Sequence, residues 1–536
     1  MAYQEQVYNF DAGRLGHIQG VTLSLQHKEP LLHYFGGIPY ALPPTGEYRF
    51  RAPRNLPNEF KYGTVSNPGV FTGGTAICPQ PPGRTPQNKT LFNEDCLQLN
   101  IWVPAEPVPK EGWPVCVYFH GGFLQVGSAN WCPGSLVPLL TESAFKAIMV
   151  FPAFRLNAFG FLASEELSEE AKRNGEPSGN MGLWDQRAAL EWTYKNISVF
   201  GGSPSNITAA GYSAGGFSAF QQLAHELYCV PKAEGIGIIR RVVMLSNGPG
   251  VTPKALVEHQ KQFDEYLAKL GISNDLPSAE KLKMLRSLPF QKLVDFQSDM
   301  KIHEFRLLND GTFLPMDLML KVDQGDFGKR MKERGIKILS GECKDEHTIY
   351  RTWRTPENSY DDVYSRLCAE FPESAARKVM KHYCGPNKSL PSYYQDWKDF
   401  FGQIYANLQV HGLQRGLLNG LFLGGLLPGV DLLRYRIDRR LECISETFPV
   451  ELGVTHSSDV PIWFWGANSS GLTKEEKTWL EGWNKGFASF VKGEETAWGP
   501  NHYKEMRRWR SDGETDVWID NKWEEGLDLW NVLNKP

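Results

Sequence analysis

The apolar positions of the chain form short continuous runs that alternate with longer amphipathic stretches. Short runs rich in β-branched and aromatic residues predict strands that are buried on both faces of a sheet. The strands predicted in this way are residues 115–119, 147–151, 207–210, 242–245, 336–339 and 460–465.

Between several of these runs the apolar positions repeat about every 3.6 residues, which predicts amphipathic helices. Residues 183–197 show this pattern. In a second such helix the apolar face consists of Phe217, Phe220, Leu223, Ala224 and Leu227. Because strands and helices alternate, we predict an α/β fold with a large, mostly parallel central sheet flanked by helices.

Two longer regions, residues 250–335 and 350–430, carry charged helical patterns without clear strands. We interpret them as helical insertions that cover the end of the sheet and the active site. No stretch has the composition of a linker, and no repeat is visible. The prediction is therefore a single domain over residues 1–536 with two helical insertions.

Charge and cysteine content narrow the classes of partner. The 57 basic and 61 acidic residues leave a net charge of −4, which offers no general attraction for nucleic acid. The nine cysteines lack the spacing of a zinc site, so we expect neither a metal nor another cofactor. A small neutral molecule is the expected partner, and the sequence predicts no oligomeric state.

Two segments bear on membranes and localisation. The most apolar stretch, residues 417–430, contains Asn419 and Pro428 and is shorter than the roughly 20 residues of a membrane span, so we expect core or pocket wall. The first ten residues lack the basic and apolar parts of a secretory signal. This favours a cytoplasmic protein, with secretion after removal of a signal as the alternative.

The strongest local motif is Gly211-Tyr-Ser-Ala-Gly215, which lies between a predicted strand and an amphipathic helix. In this context G-x-S-x-G predicts a sharp turn that presents Ser213 as a nucleophile. The glycines allow the close backbone approach that such a turn requires. A plain glycine-rich turn is the alternative, whereas a phosphate-binding loop is disfavoured because no G-K-[ST] follows.

A second motif, His120-Gly-Gly122, directly follows the predicted strand 115–119. In folds with such a nucleophile turn, this loop supplies backbone N–H groups that stabilise the oxyanion of the transition state. The predicted oxyanion hole consists of Gly121, Gly122, Phe123 and Ala214.

Further motifs occur in a characteristic order: residues 37–44 (GIPYALPP), 94–104 (EDCLQLNIWVP), 155–162 (RLNAFGFL), 180–192 (NMGLWDQRAALEW) and 200–202 (FGG). Together with the two motifs above, they resemble the type B carboxylesterase/lipase family of cholinesterase-like α/β-hydrolases. The resemblance runs from about residue 30 to beyond residue 465. It implies the α/β-hydrolase fold.

The resemblance also implies the partners of Ser213. The triad acid corresponds to Glu346 at the end of residues 341–346 (GECKDE), with Asp345 as the neighbouring alternative, and the base to His456 in residues 453–459 (GVTHSSD). The chain order Ser213, Glu346, His456 is that of α/β-hydrolases.

The family pattern carries two more assignments. Ser246 matches a serine in the hydrogen-bond shell around the triad. Cys78 and Cys96 match a disulfide, which would close a loop of 17 intervening residues. Asn247 stands where the family has a glycine, in Leu245-Ser-Asn for Q-S-G.

Two further departures from the family pattern lie beside the nucleophile. Phe123 replaces a third glycine of the oxyanion loop, so we expect its ring to narrow the acyl side of the pocket and a positive φ to strain it. Tyr212 replaces an acidic residue, which changes the hydrogen bonds around His456. We expect Phe123, Leu124, Tyr212 and part of residues 417–427 to form the pocket wall.

The expected function is therefore that of a serine hydrolase that cleaves carboxylic esters through an acyl-enzyme on Ser213. An acyltransferase or a lactonase with the same triad is the alternative, since a dry pocket that admits another acceptor changes the product alone. A catalytically silent interaction protein is a minor alternative. The physiological ester is not predicted.

Overall fold

The computed structural model describes residues 3–26, 29–83, 88–230 and 237–535. Its strands are β1 (Gln4–Asp11), β2 (His17–Ser24), β3 (Pro30–Pro39), β4 (Ala41–Leu42), β5 (Arg54–Asn55), β6 (Gly69–Val70), β7 (Gln98–Pro104), β8 (Trp113–Phe119), β9 (Ile148–Pro152), β10 (Gly202–Tyr212), β11 (Ile239–Leu245), β12 (Lys337–Cys343), β13 (Leu432–Ile437), β14 (Glu505–Trp509) and β15 (Thr515–Ile519).

Within the described residues, 13 strands form one sheet in the order β1-β2-β3-β7-β9-β8-β10-β11-β12-β13-β14-β15, with β6 beside β2. All strand pairs from β9 to β14 are parallel, and the strands at both ends pair antiparallel. The central strands are buried along most of their length, as expected for strands covered on both faces.

The helices are α1 (Val137–Glu142), α2 (Asn157–Phe161), α3 (Glu165–Asn174), α4 (Met181–Asn196), α5 (Ala214–Tyr228), α6 (Leu256–Leu270), α7 (Ser278–Ser287), α8 (Phe290–Asp295), α9 (Leu318–Asp323), α10 (Asp326–Glu333), α11 (His347–Tyr350), α12 (Tyr360–Glu370), α13 (Glu373–Cys384), α14 (Trp397–Gln409), α15 (His411–Leu423), α16 (Val460–Trp463), α17 (Lys474–Lys492) and α18 (Trp523–Asn534). α4, α5 and α17 pack on the central strands. α6 to α10 lie between β11 and β12, and α11 to α15 between β12 and β13.

The prediction of a mostly parallel sheet flanked by helices is confirmed, but one predicted strand is wrong. Residues 460–463 form the helix α16, with Pro461 in its first turn. Proline has no N–H for a sheet ladder but fits the first turn of a helix, where that N–H has no intrahelical partner. A short, fully apolar run does not distinguish a buried strand from a buried helix.

The sixth strand of the parallel core is instead β13, which the apolar pattern missed. Two arginines interrupt its apolar run, and both are neutralised inside the fold. Arg434 Nη2 lies 2.6 Å from Asp520 Oδ2, and Arg436 Nη1 lies 2.6 Å from Glu342 Oε1. These partners come from distant parts of the chain, so the local sequence does not indicate that the arginines are buried.

Candidate active site

Ser213 occupies the turn between β10 and α5 and has a φ of 56°, which is unusual for a residue with a side chain. The turn is tight. A Cβ added at Gly211 would lie 2.1 Å from the carbonyl carbon of Gly215, and one at Gly215 would lie 1.9 Å from the Phe119 oxygen. Glycine at both positions therefore permits the turn, and the positive end of the α5 dipole lies at Ser213.

The structure brings Ser213, His456 and Glu346 into one hydrogen-bonded line. His456 Nε2 lies 2.8 Å from Ser213 Oγ, and His456 Nδ1 lies 2.5 Å from Glu346 Oε2. The other oxygen of Glu346 accepts the Cys343 N–H at 2.8 Å. All three side chains are buried, and the arrangement is that of a nucleophile, a base and an orienting carboxylate.

The alternative acid, Asp345, makes no hydrogen bond to the imidazole. Its Oδ2 accepts the Val454 N–H at 3.0 Å and so supports the loop that carries His456. Of the two neighbouring carboxylates, only Glu346 hydrogen-bonds to His456.

The loop after β8 passes directly beside Ser213. A Cβ added at Gly121 would lie 3.1 Å from Ser213 Cβ, and one at Gly122, whose φ is 113°, would lie 2.0 Å from the Val126 oxygen. The partly buried ring of His120 donates from Nδ1 to the Gly121 oxygen at 2.8 Å and so holds the loop. Burial lowers the pKa of His120 to about 4, which keeps this ring neutral.

The N–H groups of Gly122, Phe123 and Ala214 have no hydrogen-bond acceptor among the described residues. Phe123 and Ala214 line the same cavity as Ser213. Donors without an internal acceptor beside a nucleophile are the elements of an oxyanion hole. Gly121, the fourth predicted residue, allows the close approach of the loop to Ser213.

Phe123 has a φ of 60°, which is the strained left-handed backbone conformation expected for this position of the oxyanion loop. Its carbonyl oxygen accepts from Arg306 Nη1 at 2.5 Å and from Gln125 Nε2 at 3.3 Å. The ring centroid lies 5.3 Å from that of Trp353, and the Arg354 guanidinium carbon lies 5.0 Å from the ring centroid. These contacts hold the strained residue, whose cost is on the order of 1 kcal/mol.

Tyr212 and Ser246 belong to two separate groups of polar contacts. The Tyr212 hydroxyl hydrogen-bonds to Ser457 Oγ, and its ring packs 5.0 Å from the His456 ring. Ser246 Oγ instead donates to Asp459 Oδ2 at 3.2 Å. Asp459 lies three residues after His456.

Asp459 is a buried carboxylate that the sequence analysis did not single out. Its Oδ2 also accepts from Tyr435 Oη at 2.9 Å and from Trp463 Nε1 at 3.2 Å. Burial raises the pKa of Asp459, and the charge of Glu346 acts in the same direction. Its place in the motif GVTHSSD was the one available signal, whereas its partners Tyr435 and Trp463 are evident only in the fold.

Two chambers meet at Ser213. The α5 chamber comprises about 600 Å³ of empty space, its solvent-open mouth included, and is lined in part by Ala214 and Phe217 of α5. The histidine chamber comprises about 940 Å³, its mouth likewise included, and is lined in part by His456, Tyr350 and Trp353. Phe123 borders both chambers and therefore partly divides them.

The predicted pocket wall is right in part. Phe123 and Leu124 line the α5 chamber, and Phe123 and Tyr212 line the histidine chamber. Residues 417–427 line neither chamber, so of the two expectations for this segment pocket wall is wrong, whereas Leu417, Leu418 and Leu421 are core residues. Most of this segment belongs to α15, which packs against α18 so closely that a Cβ at Gly416 would lie 2.1 Å from the Trp530 ring.

The family model for the carboxylesterase family matches residues 8–518. The chain belongs to the carboxylesterase family. The match confirms both the family that the motifs resemble and the expectation of a carboxylic-ester hydrolase.

This carboxylesterase has close relatives in fungi. It is 57% identical to a carboxylic ester hydrolase of Gibberella moniliformis, over 99% of this chain and 97% of that protein. It is 38% identical to an uncharacterised esterase/lipase of Schizosaccharomyces pombe, over 97% and 95% of the two chains. The crystal structure of Aspergillus niger EstA has the same fold, with a TM-score of 0.74, 22% identity and coverage of 98% and 99%.

Three further observations on this carboxylesterase concern a disulfide, metal binding and membranes. Cys78 and Cys96 form a disulfide, and Gln80 within its loop lines the histidine chamber. The described residues contain no group of three or more His, Cys, Asp or Glu side chains arranged to hold a metal ion. No helix in the described part of the chain is both long and apolar enough to cross a membrane.

Proposed function

We propose that this carboxylesterase is a serine esterase that forms an acyl-enzyme on Ser213, with His456 as general base and Glu346 as the orienting acid. The observation that carries the proposal is the continuous line from Ser213 Oγ through the imidazole to Glu346, with distances of 2.8 and 2.5 Å. Such a line holds the imidazole in the tautomer whose Nε2 accepts a proton.

In the first half-reaction, His456 Nε2 takes the proton of Ser213 while Oγ bonds to the ester carbonyl carbon. The carbonyl oxygen becomes an oxyanion beside the N–H groups of Gly122, Phe123 and Ala214, each worth roughly 3 kcal/mol in the transition state. The imidazolium then donates its proton to the alcohol oxygen, and the carbon–oxygen bond of the ester breaks.

In the second half-reaction, His456 deprotonates a water molecule that attacks the acyl carbon. The acid leaves, and the proton returns to Ser213 Oγ. Throughout, the charge of Glu346 favours the imidazolium. The net reaction consumes one ester and one water and yields one carboxylic acid and one alcohol.

The direct test is intact-mass analysis after incubation with a fluorophosphonate, together with hydrolysis of p-nitrophenyl esters with acyl chains of two to eight carbons. Wild type is expected to gain one adduct, and Ser213→Ala to gain none and to lose roughly 10⁴-fold or more in kcat. Ser218→Ala is the matched control, since Ser218 is a buried serine on α5 whose hydroxyl donates to the Ala214 oxygen.

Retention of the adduct in Ser213→Ala would overturn the assignment of the nucleophile. Addition of methanol to the assay separates hydrolysis from acyl transfer, because transfer yields a methyl ester in place of the free acid. A predominant methyl ester would favour the acyltransferase alternative.

A further inference from the structure

One part of the α5 chamber wall is charged, although the rest is mainly apolar. Lys254, Arg306 and Glu370 line it, and Gln409 lies beside them. Lys254 precedes α6, Arg306 precedes α9, Glu370 ends α12 and Gln409 ends α14. The two helical insertions therefore meet at this chamber and contribute its charges.

The carboxylate of Glu370 is fully engaged within the protein. Its oxygens lie 2.6 Å from Arg306 Nη2 and 3.2 Å from Arg366 Nη1, and they accept from Gln409 Nε2 at 3.0 Å and from the Tyr405 hydroxyl. Burial acts to raise the pKa of Glu370, but Arg306 and Arg366 outweigh it and hold the pKa below its ordinary value. Glu370 is therefore ionised and compensated.

Behind the wall, Glu304 pairs with three arginines. Its carboxylate lies 3.4 Å from Arg306 Nη2 and 3.3 Å from Arg366 Nη2, and it contacts Arg354. Burial lowers the pKa of the adjacent His303 to about 4, so that ring adds no charge at neutral pH. With Lys254, these groups comprise more cations than carboxylates.

Lys254 is the cation without a counter-ion. The residue is 4% exposed, and its Nζ donates to the carbonyl oxygens of Cys368 at 3.0 Å and Ala369 at 2.8 Å. Among the described residues no carboxylate oxygen forms an ion pair with its Nζ, and the charges of Glu258 and Glu370 reach it only from a longer distance. The nearby Glu258 instead accepts the backbone N–H groups of Ala255 and Glu373. A buried ammonium without a counter-ion is costly unless a ligand supplies one.

The proposed mechanism determines which half of an ester reaches Lys254. His456 donates its proton to the departing alcohol and lines the histidine chamber, so the alcohol leaves on that side. The acyl group stays on Ser213 and lies in the α5 chamber, which Ala214 and Phe123 also border. This step rests on the proposed function of Ser213 and His456.

We infer that the acyl half of the preferred substrate carries its own carboxylate, which pairs with Lys254 in the α5 chamber. The substrate class is thus the monoester of a dicarboxylic acid. The chemistry is unchanged: the ester carbon–oxygen bond breaks, water supplies the hydroxyl of the new acid and the proton of the alcohol, and the product is a dicarboxylate.

The test measures kcat/KM for two series of substrates. One series consists of the monoethyl esters of dicarboxylic acids from succinate to pimelate. The other consists of the same esters with a terminal carboxamide in place of the free carboxylate. The carboxamide has the same shape but no charge. Wild type is expected to favour the carboxylate by roughly 10- to 100-fold at the best chain length, the range of a hydrogen bond to a charged group.

In Lys254→Met this ratio should fall to about one. Lys269→Met, which removes the same charge from an exposed position on α6, should keep the wild-type ratio. A melting curve for each variant verifies folding. If Lys254→Met does not fold, protection of wild type against fluorophosphonate labelling replaces it, and glutarate should then protect at lower concentration than its diamide.

A wild type that cleaves neutral ethyl esters but does not prefer the carboxylate series overturns this inference and leaves the proposed function standing. A ratio that survives in a folded Lys254→Met overturns the role of Lys254. If wild type cleaves neither series and takes no fluorophosphonate label, the proposed function falls as well.

Discussion

Phe123 divides the two chambers, and its removal offers a quantitative test of the site geometry. The side chain is 7% exposed, and truncation of a buried phenylalanine costs about 3 to 5 kcal/mol of unfolding free energy. A glycine at this position recovers part of the lost unfolding free energy, because a φ of 60° is disfavoured for a residue with a Cβ but not for glycine. We therefore expect Phe123→Gly to be more stable than Phe123→Ala by about 1 kcal/mol, the reverse of their order in a helix.

In a chain of 536 residues, about 1 kcal/mol shifts the melting temperature by about 1 °C. Phe123→Ala should thus melt about 4 °C below wild type and Phe123→Gly about 3 °C below. Differential scanning at several scan rates measures these shifts and reveals irreversible unfolding.

The same substitution should change acyl selectivity. Without the ring the two chambers join, so a branched acyl group that the ring excludes gains roughly 1 to 3 kcal/mol relative to a linear one, or about 10- to 200-fold. The assay is the ratio of kcat/KM for p-nitrophenyl pivalate to that for p-nitrophenyl butyrate. Phe401→Ala is the control, since Phe401 packs 5.0 Å from Tyr405 in the adjoining aromatic cluster but lines neither chamber.

Two results would refute this reasoning. An unchanged pivalate-to-butyrate ratio in Phe123→Gly would mean that the ring does not limit the acyl group. Equal stability of the glycine and alanine variants would mean that the left-handed backbone at residue 123 is not strained.

Three further predictions concern the acid, the buried lysine and the disulfide. Glu346→Gln should lower kcat by roughly 10⁴-fold because it removes the charge that favours the imidazolium, whereas Asp345→Asn should lower it less than about tenfold; steady-state rates on a p-nitrophenyl ester decide between them. Burial lowers the pKa of Lys254 from its ordinary 10.5 to about 8. Between pH 8 and 10.5 the unfolded chain therefore holds a proton on Lys254 that the folded protein lacks. The free energy of unfolding should then rise by about 3 kcal/mol over this range. Urea titrations should show this rise in wild type but not in Lys254→Met. Reduction of the disulfide, or Cys78→Ser, should lower the free energy of unfolding by about 3 kcal/mol, because the loop of 17 intervening residues is no longer closed in the unfolded chain. The measurement is the melting temperature, which dithiothreitol should lower in wild type but not in Cys78→Ser.

The local sequence was sufficient for most of the fold and for the turn that carries Ser213. The apolar runs at 115–119, 207–210 and 242–245 lie in β8, β10 and β11, because a strand covered on both faces is usually a nearly continuous apolar run. The turn at Ser213 was predictable as well, since only glycine at 211 and 215 permits it. The partners of Ser213 followed from ordered motifs and not from local physics, because neither a histidine nor a carboxylate reveals its neighbours in space.

Only the tertiary structure decided those features that depend on contacts between residues far apart in the chain. β13 was missed because its arginines are neutralised by Glu342 and Asp520, and residues 460–463 form a helix where the apolar pattern predicted a strand. The same holds for the buried Lys254 without a counter-ion. A charged side chain is indistinguishable in sequence from a solvated one, and its energetic role is set by burial and by the presence or absence of a partner, which the folded chain alone determines.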